Sequence, residues 1–114
     1  MKKRDVLAML STLCLAAAAH ANTYSNVSTI KGLTVENGNG RVRLVLDDMT
    51  AAKESCATDP WYAFSLSTLG AKEMYASLLA AKFAGQRVFV QANGCEGPYS
   101  SVTLVYVCDA MWCQ

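Results

Sequence analysis

Beyond position 20 the chain has no histidine. Neither a Ser-His-Asp nor a Cys-His nucleophile arrangement can therefore be built from residues 22–114. No CxxC pair is present, which removes a thioredoxin-like redox role and, with histidine missing, weakens any structural zinc site. No glycine-rich loop follows a strand and opens a helix, so a phosphate cradle is missing as well. After residue 19 no long apolar run remains, and no repeat or low-complexity linker interrupts the chain. Charge of either sign is also scarce. Residues 22–114 carry 7 Lys/Arg against 8 Asp/Glu, a net −1, which offers neither nucleic acid nor an anionic membrane an electrostatic reason to bind.

What is present begins with an export signature. Lys2, Lys3 and Arg4 precede an apolar stretch from Val6 to Ala19, and Ala19-His20-Ala21 has the small-x-small form of a cleavage site. The apolar stretch is too short for a membrane span. The reading is a secretory signal over 1–21, cleaved after Ala21, and a secreted or periplasmic single domain over 22–114, with no membrane insertion. Cys14 leaves with the signal. The remaining Cys56, Cys95, Cys108 and Cys113 allow three connectivities. An even count in a small exported chain argues for two disulfides, with Cys108–Cys113 favoured as a terminal clasp and Cys56–Cys95 as a long-range staple.

The central stretch is Ser67–Cys95. From Ala71 to Ala84 it has neither proline, glycine nor a β-branched residue, and it reads as a helix capped by Ser67 or Thr68 and stopped by Gly85. Ala71, Met74, Tyr75, Leu78 and Leu79 form an apolar arc that requires a sheet to cover it. Glu73, Ser77, Ala80 and Ala84 lie opposite. They suit either an exposed alanine-rich surface or a face packed beside other helices in an oligomer.

Strands are expected on both sides of that helix. Thr29–Glu36, with a bulge or bend at Gly32, pairs with Arg41–Leu46 through the Asn37-Gly38-Asn39-Gly40 turn. In the second of these, Val42, Leu44 and Leu46 face inward, and Arg41 and Arg43 face outward. Residues 47–60 are irregular. Trp61–Leu66 is a third strand, with either Tyr62, Phe64 and Leu66 or Trp61, Ala63 and Ser65 turned inward. Arg87–Ala92 and Val102–Val107 follow, separated by a Gly/Pro loop over 93–100, while 22–28 reads as a polar lead-in. The order β-β-β-α-β-β is that of an OB-fold, a small Greek-key barrel of α+β composition, with an open five-stranded sheet as the alternative.

Adjacent Asp47 and Asp48 would point to opposite sides of a strand end, which fits turn capping better than a glycosidase pair. The expectation is a binding module with no enzyme activity, metal or cofactor. A sugar site needs hydroxyl and amide partners, an aromatic plate and, for an acidic sugar, a cation. Tyr24, Ser25, Lys53 and Arg87 are the candidates.

Three stretches carry a family resemblance. Tyr24-Ser25 stands just before the first strand, and Gly85-Gln86-Arg87-Val88-Phe89-Val90-Gln91 follows the long helix. Leu104-Val105-Tyr106-Val107-Cys108 precedes Cys113, with four residues between the cysteines. Together they resemble the binding (B) subunits of the subtilase-cytotoxin and typhoid-toxin branch of AB5 toxins. The resemblance implies an OB-fold protomer in a homopentameric ring, with helices lining a pore that receives a toxin A subunit. Ser25, with Tyr24 beside it, would meet the carboxylate of a sialylated glycan, and Glu73, Ser77, Ala80 and Ala84 would line the pore. The chain departs from that pattern in three respects. It lacks the family's hairpin disulfide, Thr23 replaces an aromatic residue, and Phe89 stands where a basic residue is expected. The alternative is a periplasmic OB-fold protein of the same ancestry, with a structural or inhibitory role and no toxin partner.

Overall fold

In the computed structural model, residues 22–108 and Cys113 are described; the candidate signal, 1–21, lies outside them. Six strands and one helix run in the order β1 (Thr23–Tyr24), β2 (Ser28–Val35), β3 (Arg41–Leu46), β4 (Tyr62–Ser65), α1 (Ala71–Ala84), β5 (Arg87–Glu96) and β6 (Tyr99–Val107). The sheet order is β1-β5-β2-β3-β4-β6, and β5 also pairs with β6. The pairings of β5, β2, β3, β4 and β6 thus return to their starting strand and form a closed ring. All are antiparallel except β4 with β6, which is parallel and extends over only Tyr62↔Ser100 and Ala63↔Ser101.

Alternation of side chains fills the ring. Val42, Leu44 and Leu46 of β3, and Val88, Val90 and Ala92 of β5, are buried together, and between them lie Ile30, Tyr62, Phe64 and Val102. In β4, Tyr62 and Phe64 turn inward, with Leu66 packed against the core beyond the strand end. The hairpin register shifts between Ile30 and Gly32, the position where glycine tolerates the bend.

The helix lays Ala71, Leu78 and Ala81 into the core, with Met74 and Tyr75 packed at its margin. Ala81 takes the place expected of Leu79, which stays half-buried. The helix end is a Schellman arrangement: Gly85, at φ 65°, donates to Lys82, and Gln86 donates to Ala81. Its start differs from the sequence expectation. The N-cap is Gly70 in the left-handed region, with no side-chain cap bond. Ser67 instead pairs its hydroxyl with that of Ser65 (2.7 Å), and the Thr68 carbonyl receives the Ala71 N–H.

Two further differences concern the sheet. The expected loop over 93–100 is a continuation of β5 and β6, joined at Gly97-Pro98. The ladder runs on to Glu96↔Tyr99 because a register shift between Ala92 and Cys95, with Gly94 at φ 67°, absorbs the irregular residues. The expected lead-in contains β1, which pairs with Gln91 and Ala92. Cys56 is bonded to Cys95 and Cys108 to Cys113. Among the described residues no helix is long and apolar enough to cross a membrane.

Candidate functional site

Residues 22–25 lie along β5 because several polar contacts hold them there. Ser25 donates its backbone N–H to the Val90 carbonyl (2.9 Å), and its Oγ accepts the Val90 N–H (2.8 Å). The side chain thus replaces one rung of a backbone ladder, and at 8 % exposure Ser25 is buried. Its hydroxyl proton makes no other bond among the described residues. Tyr24 is 55 % exposed and stands opposite Gln91. Gln91 in turn faces the exposed Leu104, and Phe89 stacks on Tyr106 with ring centroids 4.8 Å apart. The outer face of β1, β5 and β6 is therefore an apolar and aromatic strip with Tyr24 at its edge.

Below this strip lies a carboxylate that composition and periodicity did not single out. Glu54 is 7 % exposed. Its Oε2 accepts the Thr23 hydroxyl (2.6 Å), its Oε1 accepts the Gly94 N–H (2.7 Å), and its own N–H reaches the Ser100 Oγ (3.1 Å). One residue thus fastens the 47–60 segment to β1, β5 and β6. Two residues beyond β1, Asn26 donates to Asp48 (3.1 Å) and to Thr50 (2.9 Å). Hydrogen bonds from the Thr50 hydroxyl, the Thr50 N–H and Asn26 hold Asp48 below the usual carboxylate range. Asp47 accepts from the Thr29 hydroxyl. Both aspartates thus organise the loop.

The four sequence candidates do not converge on one hollow. Tyr24 and Ser25 are together. Arg87 is on β5, three residues before Val90 and so about 10 Å away along the strand, and its guanidinium donates to the Cys113 carbonyl (2.7 Å). Lys53 is turned into its own loop. Its ammonium donates to the carbonyls of Met49 and Ala51 (3.3 Å each) and to the Tyr62 hydroxyl (3.2 Å), and it lies 4.5 Å from the Tyr62 ring centroid. Burial pushes the Lys53 ammonium below its ordinary range and the Tyr62 phenol above its own. Glu73, Ser77, Ala80 and Ala84 are all exposed on the outer face of α1, alongside Phe83 at 84 %.

A second polar cluster occupies the outer face of β3. Arg41 lies 3.6 Å from both Glu36 and Glu96, and Arg43 lies 3.0 Å from Glu36. Arg43 donates to the Tyr99 hydroxyl (3.4 Å), a contact that raises its already high pKa. Its guanidinium carbon is 5.1 Å from the Trp61 ring centroid, and that of Arg41 is 5.5 Å from the Tyr99 ring centroid. The outward alternation of the two arginines was legible in sequence. The aromatic partner 56 positions away was not. A separate cavity of about 210 Å³, lined by Phe64, Leu69, Met74 and Val102 among others, contains none of the expected site residues. Among the described residues no group of three or more His, Cys, Asp and Glu is placed to hold a metal ion.

No protein-family model matches the chain, and neither does any curated protein. The functional reading therefore rests on residues and geometry.

Proposed function

We propose that this chain is an exported, non-catalytic OB-fold subunit that recognises sialylated host glycans as a homopentamer and serves a toxin A subunit. The observation that carries the reading is the open Tyr24 beside Ser25, both pinned to β5 at the edge of an aromatic strip. A phenol ring offers a plate for a sugar, and the uncommitted Ser25 proton can be donated to a carboxylate. The strand ring with its single parallel closure supports the OB assignment. The two disulfides are compatible with an oxidising compartment outside the cytoplasm. The exposed Glu73, Ser77, Ala80 and Ala84 face, with Phe83 beside it, supports helix-to-helix packing around a pore.

One observation favours the second reading, a periplasmic relative with a structural or inhibitory role. Lys53 and Arg87 both direct their cations at carbonyls of the chain itself, so sialate would have to be held without them. A glycan array combined with light scattering decides between the two. The first reading expects five-protomer particles that bind sialylated glycans, with Tyr24→Ala abolishing binding and leaving assembly intact. A monomer that binds no glycan overturns it.

A further inference from the structure

We infer that the chain associates head to tail, the open margin of β6 in one copy pairing with the open margin of β2 in the next. The inference rests on the multi-copy part of the proposed function and involves neither the glycan nor the outer face of the helix.

Two strands run on past the end of their pairing. β6 meets β4 only at Ser100 and Ser101, so from Val102 to Val107 that side has no neighbouring strand. β2 meets β5 only at Ser28 and Thr29, and from Ile30 to Val35 that side is likewise open. The direction of the backbone groups follows from their bonds. Ser25 engages both the N–H and the C=O of Val90, on the side of β5 away from β6. Opposed residues of an antiparallel pair exchange both bonds or neither, so Val105, the partner of Val90, also turns its backbone groups away from β5. Val107, two residues on, repeats the arrangement, in keeping with the Cys108 N–H donating to Arg87. On β2 the Glu36 N–H goes to Arg41, so Thr34 faces β3 while Leu33 and Val35 face outward. None of these four outward residues has a backbone partner on its open side among the described residues.

Free edges of natural sheets are blunted by charge, proline or a bulge. β6 has neither a charged residue nor a proline, and β2 has only Lys31. Each strand's bulge falls before its outward groups, between Ile30 and Gly32 in β2 and at Thr103, which has no cross-strand partner, in β6. Apolar side chains stand exposed on both strands, Val35 at 47 % and Leu104 at 42 %. The two margins also match. Each offers outward donors and acceptors on residues spaced by two, so one can continue the ladder of the other. Within one protomer β5 lies between them, and a second copy is what brings them together. Because the two margins differ, the contact is heterologous, the kind that closes a ring.

Light scattering and amide hydrogen exchange on the oxidised full chain provide the test. The parent should form multi-copy particles in which the Leu33, Val35, Val105 and Val107 amides exchange about 100-fold more slowly than after dilution to monomer. Val35→Pro and Val105→Pro each delete an outward N–H that donates to nothing within the protomer. Each should weaken association by about tenfold or more. Particles that persist in both proline variants, or parent particles whose four amides exchange at the monomer rate, overturn the inference and leave the multi-copy reading standing. A parent that stays monomeric at about 100 µM overturns both. Should a proline variant fail to fold, the exchange rates of the parent decide.

Discussion

Replacing Glu54 by alanine should detach β1. The side chain is almost fully buried and accepts two short bonds, 2.6 Å from the Thr23 hydroxyl and 2.7 Å from the Gly94 N–H. Bonds to a carboxylate contribute about 1.5–3 kcal/mol each, and the Gly94 N–H would be left without its acceptor. Glu54→Ala should therefore cost about 3–5 kcal/mol, a large fraction of the roughly 5–15 kcal/mol available to a domain of this size. At about 4–8 °C per kcal/mol, Tm should fall by about 12 °C or more. Glu54→Gln provides the internal control. Its amide oxygen can accept from Gly94 and its amide nitrogen can donate to the Thr23 hydroxyl, so the cost should be about 1 kcal/mol or less. Urea and thermal unfolding of the oxidised protein measure both. Hydrogen exchange locates the effect: the Ser25 amide, bonded to Val90, should lose protection in the alanine variant before the Val88 amide does. A Glu54→Ala cost below about 1 kcal/mol, or equal costs for alanine and glutamine, would refute the reasoning.

Asp48 contributes to the acid side of the stability profile. Its folded pKa lies below the unfolded one, so its stabilisation is present above the usual carboxylate range and is lost as pH falls through the lowered value. Tm against pH should therefore be flatter for Asp48→Asn than for the parent between about pH 2 and 5. The two disulfides should differ in worth. By loop-closure entropy, removing Cys56–Cys95, which spans 39 residues, should cost about 4 kcal/mol, and removing Cys108–Cys113, which spans 5, about 2 kcal/mol. Paired alanine variants followed by urea unfolding would show this order or reverse it.

Much of the fold was legible because local and long-range signals agreed. In β3, alternation alone identified Val42, Leu44 and Leu46 as core, and Asn-Gly repeats located the hairpin turn. Gly85 ended the helix as its conformational freedom allows. The helix start was misread because Ser67 and Thr68 look like caps, whereas Ser65 engages the Ser67 hydroxyl and Gly70 makes the turn. Strand β1 was missed because two residues, though both strand-favouring, are too few to display alternation; contacts from Glu54, Val90 and Asn93 hold that segment in place. The 93–100 stretch looked like a loop because Gly94, Gly97 and Pro98 punctuate it. A register shift and a disulfide carry the ladder through. For the candidate site, Tyr24 and Ser25 are neighbours in sequence and stay neighbours in space. The commitments of Lys53 and Arg87 to Ala51 and Cys113 depend on chain geometry that residue types do not reveal.

The ring is joined along one side by only two residue pairs, Tyr62↔Ser100 and Ala63↔Ser101. The β2–β5 junction is equally short, Ser28↔Val88 and Thr29↔Arg87, so the ring has two seams of two pairs each, and this one is its parallel seam. Cys56 and Cys95 lie just upstream of the two strands that meet there, and the Thr58 and Asp59 amides both reach the Pro98 carbonyl (3.0 Å each). The crosslink thus acts as a rivet beside the parallel seam. In a reducing medium the curled sheet would be free to flatten, presenting two raw strand margins to other copies and inviting aggregation.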